Sequence, residues 1–383
     1  VAKYHSHRFF DAAPRAASVT RRTNLPDIHQ GVSHPEFASA ALTREVCWRS
    51  HGPRLWFLLP DRLGRFRPWL AGGAVVLLVL ILFVGLTVAV HGVEAAWPLL
   101  TTPRVAATAG FFVASLGLLA GLAQIVFPSA RQDLAQLTRI STAPGDSLRA
   151  MSEALERMPR RSVLMALPLA AGLAAGHIWL LGPSTPHLGP QLASDVCNVL
   201  LWVAMFQISI PLVNNARLFS LLGRCTKVDL YQPAELTAFG RAALRPCLFI
   251  IALQCAYVLL MLPDDTRFAV GTAVGLMVSM TLVAALFFLP LRGIRSRIRS
   301  RRREVIAALD ARLARLPQAD AATADGARLA EVESLLALRA RIQAVSAWPL
   351  GLEGVRRLLF YLVLVPLTWV GAALVEMLLD ARL

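Results

Sequence analysis

Residues 69–90 form a run of 22 residues without a single charge. A run of that length and composition crosses the hydrocarbon core of a bilayer as a helix, because only a helix satisfies its own backbone there. Six further segments read the same way: 105–127, 162–181, 196–213, 247–262, 268–290 and about 358–379. The second is expected to stop at Pro128, and the fifth to be bounded by Pro246 and Pro263. Charged residues make up 16% of the chain, against about 25% in a soluble domain. That deficit excludes a soluble enzyme and a disordered chain. The expected fold class is all-α: a polytopic integral membrane helix bundle of about seven spans.

The charge that remains is lopsided, with 39 Lys and Arg against 24 Asp and Glu. Counted between the spans, residues 1–68 hold 11 of the cations, and the second, fourth and sixth loops hold six, five and 14. The intervening loops and the tail together hold three. By the positive-inside rule the N-terminus is expected to be cytoplasmic and the C-terminus on the opposite side of the membrane. The last segment is the weakest span, since a re-entrant course would leave the C-terminus inside. Residues 1–60 read as a polar, basic, poorly ordered tail, with no apolar core of a signal peptide. Residues 61–290 read as a six-span domain with cytoplasmic loops 129–161 and 214–245. Within the first loop, Asp146 or Ser147 is expected to cap a short helix.

Residues 291–347 are expected to form a cytoplasmic helical hairpin, followed at 348–383 by a Trp-Pro turn and the last membrane segment. Leu335, Leu338, Ile342 and Val345 step by three, four and three residues. Val305, Leu309, Leu313 and Leu316 step by four, four and three. Such coiled-coil stripes need a partner face, and across a short turn each arm supplies the other's.

Few residues in the spans carry chemistry. Asn198, Gln207, Asn214 and Asn215 fall along the fourth span and its inner end, with Gln124 and Gln254 in spans two and five. Gln207 and Asn214 lie seven residues apart and share a helix face, which makes them candidates for a polar path. The plainer reading of such amides is hydrogen bonding between helices. Gly172 and Gly176 form a GxxxG pattern suited to close helix packing or self-association, and Gly117 and Gly121 repeat it. Asp195 is expected to cap the fourth span, and Glu376 to snorkel near the end of the seventh.

Arg292, Arg295, Arg297, Arg299, Arg301, Arg302 and Arg303 follow the sixth span directly. That position points to anionic lipid headgroups rather than nucleic acid, for which interleaved aromatics are missing. The five cysteines include no CxxC pair and read as reduced apolar residues. No histidine or cysteine spacing suggests a metal or cofactor, and no nucleophile, zinc or phosphate-loop motif indicates an enzyme.

The loop with Val228-Asp229-Leu230, Leu236, Phe239-Gly240-Arg241, Leu244 and Arg245 resembles that of a group of uncharacterised bacterial multi-pass membrane proteins. So does Ala347-Trp348-Pro349-Leu350, followed by Arg356-Arg357, Pro366 and Trp369. The likeness covers about residues 50–383. It implies a cytoplasmic hairpin running through a Trp-Pro turn into a last hydrophobic segment, and it implies no activity. The expected role is a non-enzymatic one in assembly or signalling, through cytoplasmic helices that bind a protein partner or a second copy. The alternative is a channel or transporter with a path lined by the fourth-span amides.

Overall fold

The computed structural model describes residues 35–315, 326–346 and 348, except 51–52, 54, 56, 159, 182–184, 232, 257–258 and 260–265; beyond Trp348 it describes only Arg356, Phe360 and Val363. Among these residues the chain is helical and holds no strand. Its helices are α1 (Pro35–Ser50), α2 (Arg67–Leu100), α3 (Pro103–Leu137), α4 (Gly145–Ala154), α5 (Arg160–Leu181), α6 (Leu188–Arg224), α7 (Thr237–Cys255), α8 (Thr266–Arg315) and α9 (Gly326–Ala344).

Six of them, α2, α3, α5, α6, α7 and α8, are long and apolar enough to cross a membrane. The chain is a multi-pass membrane protein. The expected seventh span, with Glu376, lies outside the described residues. α3 and α7 sit centrally, whereas α2 and α5 are peripheral and expose apolar side chains such as Leu77, Ile81, Leu164, Met165 and Trp179. In water such surfaces would be a liability, and in a bilayer they are the solvated face.

Several helices outrun the bilayer, and this changes the expected boundaries. α3 has 35 residues and α6 has 37, or about 52 and 55 Å against a core of about 30 Å. α3 does not end at Pro128 but continues for nine residues, carrying Asp133, Leu134 and Leu137 into a second core. α7 passes through Pro246 instead of starting after it. α6 starts at Leu188, with Pro190 in its first turn, where a missing N–H costs nothing. Asp195 therefore lies inside the helix and caps nothing, and it accepts a bond from Gln191 Nε2 at 2.8 Å. α4 starts at Gly145 behind Pro144, with no side-chain cap. Neither Asp146 nor Ser147 serves as one, and the Ser147 hydroxyl instead meets Thr43 Oγ1 at 2.8 Å.

The charged side of the bundle is a packed core rather than a set of separate loops. Leu42 and Val46 of α1, Met151 and Leu155 at α4, Leu218, Phe219 and Leu222 of α6, Phe239 of α7 and Ile294 and Ile298 of α8 bury together. Two short backbone pairings close it. Thr142 N donates to Cys225 O (2.7 Å) and Lys227 N to Ile140 O (2.8 Å). Leu55 N donates to Glu156 O (2.9 Å) and Met158 N to Pro53 O (3.1 Å). Within the stretch expected as a poorly ordered tail, Pro35–Ser50 is helical and buries Leu42 and Val46, and residues 1–34 lie outside the described residues.

The hairpin is part of this core, not a separate unit. α8 runs unbroken through Pro290 from the span into the first arm. Leu309 of α8 and Leu335 and Ile342 of α9 are buried, with Val305, Leu313, Leu338 and Val345 half-buried around them. Arg312–Glu331 (2.7 Å) and Arg339–Asp310 (2.9 Å) tie the arms at the surface.

Glycine decides where the long helices cross. A Cβ on Gly293 of α8 would fall on the Ser220 carbonyl of α6, and one on Gly223 would come within 2.5 Å of Ile294 N. Where α3 crosses α2, a Cβ on Gly121 would come within 3.0 Å of the Pro68 carbonyl, and one on Gly117 within 2.7 Å of Val76 Cγ2. Gly172 and Gly176 are not so enclosed: a Cβ on either meets nothing within 4 Å. α5 packs through Ala166, Ala170 and Ala174 instead, one residue type larger but on the inward face. Gly293→Ala should lower unfolding stability by about 3 kcal/mol, whereas Gly172→Ala should be neutral or slightly stabilising. Thermal unfolding of the two variants in detergent checks both.

Candidate functional site

Two of the four amides of α6 bond to different neighbouring segments. Asn198 is buried and donates through Nδ2 to the Ala174 carbonyl of α5 at 3.3 Å. Asn215 is buried and donates through Nδ2 to the Leu155 carbonyl after α4 at 3.0 Å. Gln207 is buried and Asn214 half-buried. Two of the four therefore join α6 to its neighbours by the interhelical bonding expected of amides in membrane bundles. The small cavity beside Asn215 measures about 20 Å³ and is walled by Asp133, Phe219 and Arg245, which leaves room for about one water. Gln124 and Gln254 are also engaged. Gln124 Oε1 accepts from Leu59 N (3.1 Å) and Arg67 Nη2 (3.3 Å), and its Nε2 donates to Phe57 O (2.7 Å). Gln254 bonds to Ser279 across α7 and α8.

The ionic groups that matter most here are ones the sequence pattern does not flag. Asp133, almost fully buried near the end of α3, accepts from Arg245 Nη1 (2.7 Å) and Arg241 Nε (3.1 Å) of α7. Arg241 also bonds Gln136. Glu156, equally buried, pairs with Arg131 at 3.1 Å. Each carboxylate lies within an ordinary charged loop in sequence. Only the extension of α3 past Pro128 carries Asp133 against α7. One signal was available: Asp133 follows Ser129 and precedes Leu137 at four-residue steps, the spacing of a helix that has not ended.

The seven arginines after the sixth span divide by helix face. Arg297 and Arg301 turn toward Glu304, at 3.9 and 3.2 Å. Arg302 is half-buried. Arg292, Arg295, Arg299 and Arg303 line a groove of about 410 Å³ together with Phe288 and Trp348. The Arg295 guanidinium sits 4.0 Å above the Trp348 ring, and Trp348 also contacts the rings of Phe287 and Phe288. Among the described residues none of these four arginines is in an ion pair, and no group of His, Cys, Asp and Glu is placed to hold a metal. His177 lies against the Trp202 ring at 6.2 Å.

Cys225, just past α6, is buried. Its burial pushes the thiol pKa up despite the nearby Arg224 and Arg297 cations, so it stays protonated and unreactive. Maleimide should label it only after denaturation, which mass spectrometry of labelled folded and unfolded protein checks. Asp133→Asn leaves Arg241 and Arg245 facing a neutral amide. It should cost about 2 kcal/mol, less than a fully buried pair because both arginines are one-third exposed. Arg157→Gln, which removes an exposed pair with Glu153 at 3.4 Å, should cost under about 0.5 kcal/mol. Denaturant titration of both variants against the parent checks this difference.

No family model, no curated protein and no solved structure matches the chain.

Proposed function

We propose that this chain is a non-enzymatic protein of a bacterial inner membrane that works in assembly or signalling through the helices on its arginine-rich side. In this reading that side is cytoplasmic, the N-terminus lies inside and the C-terminus in the periplasm. The arginines of α8 rest on anionic headgroups and bind no nucleic acid. The observation that supports a binding role is on α9. This helix turns Leu335 and Ile342 inward against α8, yet leaves Leu329 and Leu336 about half exposed on its outward face. These two leucines are seven residues apart, so they share one stripe. The arm that carries them is braced onto the bundle by a common core. A braced helix with an outward apolar stripe is suited to receive an amphipathic partner helix or the same stripe of a second copy.

A photo-crosslinking residue at Leu336 in the full chain, illuminated in native membranes, should give an adduct of defined mass. Leu329→Arg should reduce that adduct at least about tenfold, since a charge would have to be buried in the contact. Absence of any adduct, combined with ion or solute flux in proteoliposomes that Gln207→Leu abolishes, would replace this reading with the channel or transporter alternative.

A further inference from the structure

We propose that the groove between the start of the first hairpin arm and Trp348 is a binding site for the phosphate headgroup of one anionic phospholipid. The inference rests on the reading that the arginine-rich side faces the anionic inner leaflet. It goes further in assigning a discrete site rather than a diffuse charge. Arg292, Arg295, Arg299 and Arg303 follow one another at steps of three, four and four residues, which keeps all four on one face of α8. They line the same groove of about 410 Å³. Arg297 and Arg301, on the opposite face, are turned to Glu304. Among the described residues the helix thus sorts its cations into a set with a carboxylate and a set without one.

The groove has features of a built site as well as charge. Trp348 lies under Arg295 at 4.0 Å, and this stack fixes the plane of the guanidinium. Arg295 Nε is buried and, among the described residues, makes no hydrogen bond. An unpaired buried donor on a cation is costly unless an acceptor arrives. A phosphate oxygen is such an acceptor, and guanidinium forks match its geometry. At the membrane end of the groove Phe288 is exposed and apolar, in position to meet the upper part of an acyl chain. A tryptophan beside it is the usual marker of headgroup depth. From Arg292 to Arg303 the helix rises about 16 Å, more than one phosphate can engage. A headgroup with two phosphates, as in cardiolipin, fits the row best.

Native mass spectrometry of the full chain released from nanodiscs tests this. The nanodiscs contain phosphatidylcholine with equal phosphate from cardiolipin or phosphatidylglycerol. The parent should retain one cardiolipin in preference to phosphatidylcholine. Arg295→Lys with Arg299→Lys preserves charge and topology but removes the forks, and should lower retention about tenfold. Trp348→Leu, which changes no charge, should also lower it. Arg297→Lys with Arg301→Lys should leave it unchanged. Equal loss from the two lysine pairs, or retention of cardiolipin no better than of phosphatidylcholine, would overturn the site. Displacement of the lipid by millimolar inorganic phosphate would overturn its assignment to a lipid in favour of a soluble phosphate. The Leu336 crosslink is read on the same variants. An intact crosslink with lost lipid selectivity marks failure of this site alone, not of the binding role.

Discussion

The architecture turns on the place where α6 and α8 meet backbone to backbone. Ser220 and Gly223 on one helix face Gly293 and Ile294 on the other, with no space for a side chain at either glycine. The crossing lies where both helices leave the apolar band. It converts two spans into a rigid stem for everything beyond. Leu218, Phe219 and Leu222 of α6 and Leu291, Ile294 and Ile298 of α8 then present adjoining apolar faces. α1, α4, the start of α7 and the hairpin pack onto them. Replacing lipid by water as solvent would normally end helix packing at the headgroups. Here the helices continue and change from a lipid-solvated bundle to a water-solvated one with a core of its own.

Polar groups follow the same logic. Inside the apolar band an unpaired amide is expensive, and Asn198 and Gln254 are spent on neighbouring helices. At the edge of the band, carboxylates appear, each buried and each held by arginine: Asp133 by Arg241 and Arg245, Glu156 by Arg131. They join α3 to α7, and the segment after α4 back to α3. The arginine groove of α8 departs from this pattern, because its four cations face no carboxylate among the described residues.

Much of this was legible in the chain. The first, second, third, fourth and sixth hydrophobic segments fall within α2, α3, α5, α6 and α8. Both hairpin stripes point to the residues that pack, with Leu309, Leu335 and Ile342 at the centre. What failed were the boundaries set at Pro128 and Pro246. Pro128, Pro246 and Pro290 all lie inside helices, because a bilayer gives a helix no alternative partner for its backbone and neighbouring helices hold the bend. GxxxG was equally ambiguous. Gly117 and Gly121 pack against α2 while Gly172 and Gly176 face outward. The pattern marks a surface that permits close approach and says nothing about which helix approaches.

Composition and periodicity alone determined that the chain is an all-helical membrane protein, where five of its membrane-crossing runs lie, and which faces of the hairpin are apolar. These are properties of single helices in a given solvent, so a one-dimensional pattern contains them. Only the tertiary structure decided that α1, both charged loops and the hairpin share one core. It also decided that Asp133 and Glu156 are buried and that four of the seven arginines share a groove with Trp348. Each of those depends on two segments far apart in sequence reaching the same point. That meeting is set by helix length past the bilayer and by two glycines at a crossing, neither of which leaves a local signature.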